Sequence, residues 1–188
     1  MLTPPQSEGI DLRASWNLRS DLSLRVRAGD YWDRRRAEGD KWGVRVIVSA
    51  DDSVLLVQHD DPSAGNRYWV FPGGGVELGE RIAAAGEREV EEETGLRVAV
   101  GSLIYVREFG SGDVEFYVLG RFLGGQVVLG YDPELPPDRQ VLTKADFMPI
   151  ATLQDMQRVV LYPRTVQRRL AADLVSGWPS CLYLGAAE

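Results

Sequence analysis

The sequence contains one cysteine and one histidine among its 188 residues. A single cysteine, Cys181, excludes an intramolecular disulfide and a zinc site built from several cysteines. No motif surrounds it, so we interpret it as a small apolar residue rather than a nucleophile. The histidine, His59, has no second histidine or cysteine near it, which excludes a histidine-rich metal site.

Long apolar runs are also missing. No stretch approaches the length of a membrane span, and the N-terminus lacks a basic region followed by an apolar segment. We therefore expect a cytoplasmic protein that does not enter a membrane. The length, with 44% hydrophobic and 26% charged residues, is typical of one globular domain.

Basic residues are outnumbered by acidic ones. The 21 Lys and Arg residues against 28 Asp and Glu residues give a net charge of −7. Because nucleic-acid affinity depends on basic contacts to phosphates, we expect no general nucleic-acid binding. The only basic cluster, residues 34–36, is flanked by Asp33 and Glu38. It is typical of a solvated helix face, with a phosphate-binding role as the alternative.

The most informative segment is residues 74–96, GGVELGERIAAAGEREVEEETGL. Gly79 and Thr94 bracket a run rich in Ala, Glu and Arg, which predicts a helix. Gly95 is the predicted stop, because glycine most easily adopts a left-handed cap. A stripe of small side chains suits close packing on a sheet, and it consists of Ala83, Gly86, Val90 and Thr94.

Three carboxylates of this helix, Glu89, Glu92 and Glu93, fall at i, i+3 and i+4 and share one face, whereas Glu87 and Glu91 point toward solvent. Crowded like charges repel one another, and a hard divalent cation would reverse that penalty. Oxygen ligands suit Mg²⁺ or Mn²⁺, with substrate phosphates completing the shell. The alternative is an ordinary solvated acidic helix.

The same segment resembles the Nudix box, G-x5-E-x7-R-E-U-x-E-E-x-G-U with U aliphatic, and every specified position is filled. The preceding residues 68–75, YWVFPGGG, resemble the aromatic-x-x-Pro-Gly-Gly entry of that family. The glycines allow the backbone to approach a metal or phosphate closely. Taken alone, this entry could also be a plain strand-to-helix turn.

The resemblance covers roughly residues 42–175 and implies an α/β (α+β) fold, a Nudix-like α/β/α sandwich with a mixed sheet between helices. We expect residues 1–41 to form an N-terminal extension, 42–176 the Nudix hydrolase domain, and 177–188 a C-terminal tail. Alternating or continuous apolar patterns predict strands at 44–48, 54–57, 98–109, 115–122, 127–129 and 145–150. Helices are predicted at 152–158 and 163–175, the second with a core stripe of Val166, Leu170 and Leu174.

The extension contains an alternating strand at 22–26 and two tryptophans, Trp16 and Trp32, and a third, Trp42, follows it directly. So much apolar surface predicts that it packs on something. One hypothesis is that residues 10–40 lie across a homodimer interface and help to shape the mouth of the site. The alternative is packing on their own domain.

The resemblance also implies roles for individual residues. Glu92 and Glu93 should be the strongest metal ligands, Glu89 a further ligand or the general base, and the Gly73 carbonyl another ligand. Arg88 should orient the carboxylates, with Glu80 as its partner or as a support for the loop. Other candidates for the base are four acidic residues further along the chain: Asp113, Glu115, Asp132 and Glu134.

Substrate contacts are less determined. His59, Trp69, Gly74 and Glu80 are the candidate substrate-side residues, with His59 equally interpretable as a bystander. Several aromatic side chains could stack on a base or belong to the core: Tyr68, Trp69, Phe109, Phe116, Tyr117 and Tyr131.

The resemblance implies a divalent-metal-dependent pyrophosphohydrolase, with Mg²⁺ as the expected cofactor and Mn²⁺ as an alternative. Its substrate would be a small molecule, a nucleoside diphosphate-X or nucleoside triphosphate. We find neither the added motif of CoA-directed members nor the markers of ADP-ribose and dinucleoside-polyphosphate enzymes. The alternatives are a binding or regulatory module without catalysis, and, less favoured, an isoprenoid diphosphate isomerase.

Overall fold

The computed structural model describes residues 41–61, 66–109, 112–133 and 136–186. Seven strands form one mixed sheet: β1 (Trp42–Ala50), β2 (Ser53–Asp61), β3 (Asn66–Val70), β4 (Leu96–Glu108), β5 (Val114–Gly125), β6 (Leu142–Pro149) and β7 (Leu182–Ala186). The helices are α1 (Ile82–Thr94), α2 (Ile150–Leu153) and α3 (Arg164–Ser176), with a 3-10 turn at Pro137–Arg139. None of the helices in these ranges is long and apolar enough to span a membrane.

Strand β1 lies inside the sheet, in the order β3-β2-β1-β5-β4-β7, and β6 pairs with β2. It runs parallel to β5 and antiparallel to the start of β2. Its valines at 44, 46 and 48 are fully buried, as their alternation predicts. Arg45 and Ile47 consequently face the opposite side of the sheet.

Strand β5 lies along one edge of β1. The glycine loop, residues 72–76, lies along the other edge and leads into α1. The amides of Val44 and Val46 donate to the carbonyls of Gly74 and Pro72 at 2.9 and 2.8 Å, and the Val76 amide donates to Trp42 at 2.8 Å. The loop therefore runs beside β1 like a short extra strand, and its position is fixed by backbone hydrogen bonds.

Two apolar clusters lie on opposite faces of the sheet. One packs α1 against β1, β4 and β5, and it includes Ala85 and Val90 of the helix. The other lies under α2 and α3 and includes Leu153, Val166 and Leu170, with Leu174 packed against it. This arrangement confirms the predicted sandwich, with the mixed sheet between helices.

Helix α1 agrees with its sequence pattern. Gly95 caps it in the left-handed conformation with φ 69°, and its amide donates to Glu91. Gly86, Val90 and Thr94 are buried, whereas Glu87 and Glu91 are exposed. A Cβ at Gly86 would lie 2.9 Å from a Val46 methyl carbon, so glycine permits the close approach of helix and sheet.

The strand predicted at 127–129 is wrong. Strand β5, which precedes this segment, already pairs with β1 on one edge and with β4 on the other. The segment instead donates hydrogen bonds to carbonyls at the C-terminus of α1 that have no partner within the helix. The Val128 amide donates to Thr94, and the Gly130 amide donates to Glu93, both at 2.9 Å. The segment 126–132 is thereby attached to the end of the helix that carries the acidic residues.

The helix predicted at 152–158 is also wrong in extent, since α2 ends at Leu153. The Asp155 carboxylate accepts hydrogen bonds from the amides of Gln157 and Arg158, which favours a turn over a continuing helix. The helix predicted at 163–175 is confirmed by α3. Strands β3 and β7 were not predicted. Strand β7 lies in the predicted C-terminal tail and pairs with β4. Residues 1–40, which hold all of the predicted extension except Lys41, lie outside the described ranges.

The attachment of segment 126–132 to α1 depends on Gly130, where a Cβ would lie 1.7 Å from the Glu92 carbonyl oxygen. We expect Gly130→Ala to lower the free energy of unfolding by about 1–3 kcal/mol, because the backbone must move to relieve the clash. Gly101→Ala is the matched control, since its Cβ would meet its nearest atom at 3.7 Å. Urea unfolding followed by circular dichroism measures both, and equal stability of the two variants would contradict the assigned packing.

Candidate functional site

Arg88 holds three of the acidic side chains. Its Nε and Nη2 donate to the two Glu80 carboxylate oxygens at 3.1 and 3.2 Å. Its Nη1 donates to Glu89 at 2.8 Å and to Glu92 at 3.1 Å, and Nη2 also donates to the Gly75 carbonyl at 3.1 Å. The hydrogen bond to Glu80 raises the pKa of Arg88, and Glu89 adds to this effect against the opposing effect of burial. The guanidinium thus ties helix α1 to the glycine loop.

Glu93 lies beneath the same loop and is almost fully buried. One of its carboxylate oxygens accepts a hydrogen bond from the Gly73 amide at 2.9 Å. Burial, together with the charges of Glu89 and Asp132, raises the pKa of Glu93 to about 8, although Arg45 and the Gly73 amide oppose the shift. Helix α1 therefore directs a carboxylate into a region where negative charge is poorly solvated.

Glu89 occupies the space that a side chain at Gly74 would need. A Cβ on Gly74 would lie 2.6 Å from the carboxyl carbon and from both carboxylate oxygens of Glu89. Gly73 has φ 144°, and its Cβ would lie 2.0 Å from the Val44 carbonyl oxygen. The two glycines therefore have different roles, since Gly73 lets the loop lie on β1 and Gly74 leaves room for the carboxylate.

These groups open into a cleft of about 350 Å³. Glu89 and Glu93 line it from helix α1, and Asp132 lines it from the segment that is attached to the end of that helix. Lys41 and Arg45 contribute positive charge. The remaining lining residues include Gly43, the three glycines at 73–75, Trp42, His59, Phe109, Asp113 and Glu115.

Arg45 was not singled out by the sequence analysis. It is partly buried on β1, where its Nε donates to Glu115 at 2.9 Å and its Nη1 donates to the carbonyls of Gly73 and Phe71. Burial lowers the pKa of Arg45, but the charges of Glu115 and Glu93 outweigh this and raise it. The sequence signal was an arginine inside an otherwise apolar strand, a position that is costly unless the charge is paired.

The predicted site residues do not all meet in the cleft. His59 lines it, within β2, and its ring centroid is 5.5 Å from that of Tyr68. Trp69 packs against the apolar cluster under α3 and is not among the described residues that line the cleft. Glu80 supports the loop by binding Arg88 and by accepting from the Glu77 amide at 3.0 Å.

The distal carboxylates also differ in their positions. Asp113 accepts a hydrogen bond from the Lys41 amide at 2.8 Å, and Glu115 is bound by Arg45 and by the Tyr117 hydroxyl. The Gln140 side-chain amide makes two hydrogen bonds of 2.8 Å with the Asp132 backbone: its Oε1 accepts from the Asp132 amide, and its Nε2 donates to the Asp132 carbonyl. All three line the cleft, whereas Glu134 lies outside the described residues.

A divalent cation fits the donor set of this cleft. Across the ranges that the structure describes, no three acidic, histidine or cysteine side chains are grouped to enclose a metal by themselves. Gly73, Glu89 and Glu93 nevertheless line the same cleft, and a backbone carbonyl and two carboxylates are hard oxygen ligands. Burial is the main cause of the raised pKa of Glu93, repulsion from Glu89 and Asp132 adds to it, and a bound cation would offset both effects.

Gly74→Ala tests whether Glu89 needs the space beside the loop. We expect this variant to fold, because the clash is with the end of a movable side chain, but to bind Mn²⁺ at least about tenfold more weakly. Gly43→Ala is the matched control, since it also lines the cleft and its Cβ would meet its nearest atom at 3.6 Å. Calorimetric Mn²⁺ titration compares the two, and unchanged affinity in Gly74→Ala would rule out Glu89 as a positioned ligand.

The raised pKa of Glu93 predicts a pH-dependent stability in metal-free protein. Because the folded state binds the proton more tightly than the unfolded state, the stability from this group is present below the ordinary carboxyl pKa and is lost as pH rises through about 8. We expect Glu93→Gln in EDTA to have a Tm close to that of the wild type near pH 5 and several degrees higher near pH 9.

The exposed Glu91 on the same helix provides the control, and Glu91→Gln should follow the wild type at every pH. Thermal melts of the three proteins across this pH range are sufficient. A constant difference between Glu93→Gln and the wild type would show that Glu93 ionises normally in the folded protein.

Comparison with known proteins agrees with this geometry. Human 8-oxo-dGDP phosphatase NUDT18 is 40% identical over 80 residues, which cover 43% of this chain and 24% of that protein. The chain thus spans about a quarter of the length of this relative. An ADP-ribose pyrophosphatase from Streptococcus suis superposes with a TM-score of 0.56 at 20% identity, covering 78% of this chain and 98% of the other.

A Nudix hydrolase from Nitrosomonas europaea superposes with a TM-score of 0.60 at 19% identity, covering 78% of each chain. These structural likenesses show the fold. Nudix hydrolases generally use divalent metal ions. The family model described as the NUDIX domain matches residues 39–167, and the chain therefore belongs to the Nudix family.

Proposed function

We propose that this protein is a divalent-metal-dependent pyrophosphohydrolase. It cleaves the diphosphate linkage of a nucleoside diphosphate-X or nucleoside triphosphate by water attack on phosphorus. The observation that carries the proposal is that Gly73, Glu89 and Glu93 line one cleft, while Arg88 binds Glu89 and two further carboxylates, those of Glu80 and Glu92. The name of the human relative, a nucleoside diphosphate phosphatase, supports the substrate class.

The proposed metal ligands are the Gly73 carbonyl and the carboxylates of Glu89, Glu92 and Glu93. When bound, the ion supplies neutralisation of phosphate charge and a water of lowered pKa. The Gly73 carbonyl accepts from Arg45 and retains a second lone pair for a further partner. Glu92 is not among the described residues that line the cleft; its side chain is about one-third exposed and is held by Arg88.

Arg45 is the cation placed to attract the substrate. It lines the cleft beside Gly73, and the substrate, a polyanion, must enter among several carboxylates. A guanidinium at this position offsets that repulsion and has donors suited to phosphate oxygens. Glu115 holds Arg45 in place through its Nε.

Asp132 is our choice for the general base. Glu115 is bound by Arg45 and Tyr117, whereas Asp132 is brought to the cleft by the backbone of a segment attached to α1. Asp132 and Glu93 line the same cleft. In this role the Asp132 carboxylate takes the proton of the attacking water. Glu89, the other candidate, accepts from Arg88 and is better placed as a ligand.

A binding or regulatory module without catalysis is the second candidate. Its geometry would need the cleft, but it would not need Arg88 to order so many carboxylates. A release assay for phosphate and pyrophosphate, over nucleotides, nucleotide sugars, dinucleoside polyphosphates and CoA with Mg²⁺ or Mn²⁺, separates the two. Product that forms only with metal supports the enzyme, whereas nucleotide binding without product supports the module. The cytoplasmic location and the homodimer stay predictions.

Glu92→Gln tests the ligand assignment. We expect its turnover to fall at least about a hundredfold, since a lost charge weakens both metal binding and stabilisation of the developing phosphoryl charge. Its metal-free stability should stay within about 1 kcal/mol of the wild type, because the ion pair with Arg88 is partly exposed. Glu91→Gln, one residue away and exposed, should keep full activity. Near-wild-type turnover of Glu92→Gln at saturating Mg²⁺ would remove Glu92 from the ligand set.

A further inference from the structure

A second cavity adjoins the cleft and has a different lining. It has a volume of about 370 Å³ and shares Arg45, Phe109 and Glu115 with the cleft. Half of the remaining lining residues are aromatic, and the full set is Tyr68, Val70, Arg107, Tyr117, Tyr162 and Pro163. The rings of Tyr68 and Tyr162 meet edge to face with centroids 5.3 Å apart. Flat apolar walls of this kind fit a planar ring.

Within the described residues, the Arg107 guanidinium on the wall of this cavity donates no hydrogen bond. Its side chain is only 16% exposed, and its guanidinium carbon lies 4.8 Å from the Phe109 ring centroid. The closest charged atom in that part of the chain is a Glu115 oxygen at 3.9 Å, beyond hydrogen-bond distance. A guanidinium so enclosed is costly without acceptors, which a ligand in the cavity would provide.

The identity of that acceptor follows from the neighbours of Arg107. Glu115 lines the same cavity, and its negative charge disfavours a phosphate there. A neutral planar ring with acceptor atoms on its edge avoids this repulsion and can stack on the aromatic walls. Arg45 lines both cavities, so the two cavities are adjacent. One ligand can therefore place its diphosphate in the cleft and its ring in the second cavity.

We propose that this second cavity binds the base of the nucleotide and that Arg107 selects guanine over adenine. The inference rests on the proposed function for the position of the diphosphate. Arginine has only donors, and guanine presents two adjacent acceptors, O6 and N7, whereas adenine presents one acceptor and an amino donor. A bidentate contact of this kind discriminates between bases by about tenfold or more.

Binding of the α,β-methylene diphosphates of guanosine and adenosine, which have the same sugar, tests the proposal without turnover. Calorimetry should show the wild type binding the guanine compound at least about tenfold more tightly than the adenine compound. Arg107→Gln should bring this ratio below about threefold. Arg107→Lys should do the same, because an ammonium keeps the charge but loses the planar pair of donors. Arg97→Gln, an exposed arginine on the same strand, should leave the ratio unchanged.

Tyr162→Ala gives a second measurement that does not alter Arg107. It should weaken both nucleotides while leaving inorganic tripolyphosphate binding unchanged, because the lost ring is a wall of the base cavity. A guanine preference that survives in both Arg107 variants would overturn the proposal. Equal loss of tripolyphosphate and nucleotide affinity in Arg107→Gln would also overturn it, since Arg107 would then hold phosphate.

The outcome for the reaction is read separately. Guanine-selective binding that depends on Arg107, without release of product, would support the base cavity and contradict the hydrolase. Hydrolysis with equal kcat/KM for guanine and adenine nucleotides would support the hydrolase and contradict the selection of guanine.

Discussion

The close passage of the glycine loop between β1 and helix α1 is the constraint on which the site depends. Backbone hydrogen bonds fix the loop against β1, so it cannot move away from the helix without losing them. The close approach is possible because glycine has no side chain: Gly73 can lie on Val44, and Gly74 can leave room for Glu89. Arg88 and the Gly73 amide then bind the carboxylates that this approach brings together.

The cost of this approach is electrostatic. Two nearly buried carboxylates, Glu89 and Glu93, lie beside Asp132, and their charges are compensated only in part by Arg88 on one side and Arg45 on the other. Structural ion pairs of this kind contribute little net stability, since desolvation offsets their attraction. The arrangement is better explained by function, because a cation and a phosphate chain together complete the balance of charge.

The local pattern of the sequence was sufficient for helix α1, its Gly95 cap and the face that carries the acidic residues, because these depend on helical spacing alone. It was insufficient for segment 127–129, whose apolar residues predict a strand but whose Val128 amide donates to the C-terminal end of α1. Arg45 and Arg107 were missed for a related reason. Their importance comes from which strands lie side by side, and pairing over long sequence separations leaves no local signal.

Anomalous diffraction from a crystal grown with Mn²⁺ and a non-hydrolysable nucleoside diphosphate tests the central claim most directly. The account predicts a manganese peak bounded by the Gly73 carbonyl and the carboxylates of Glu89 and Glu93, about 2.2 Å from each oxygen that binds it directly, with diphosphate oxygens completing the shell. A peak elsewhere, or a nucleotide bound in the cleft with no metal beside these residues, would contradict it.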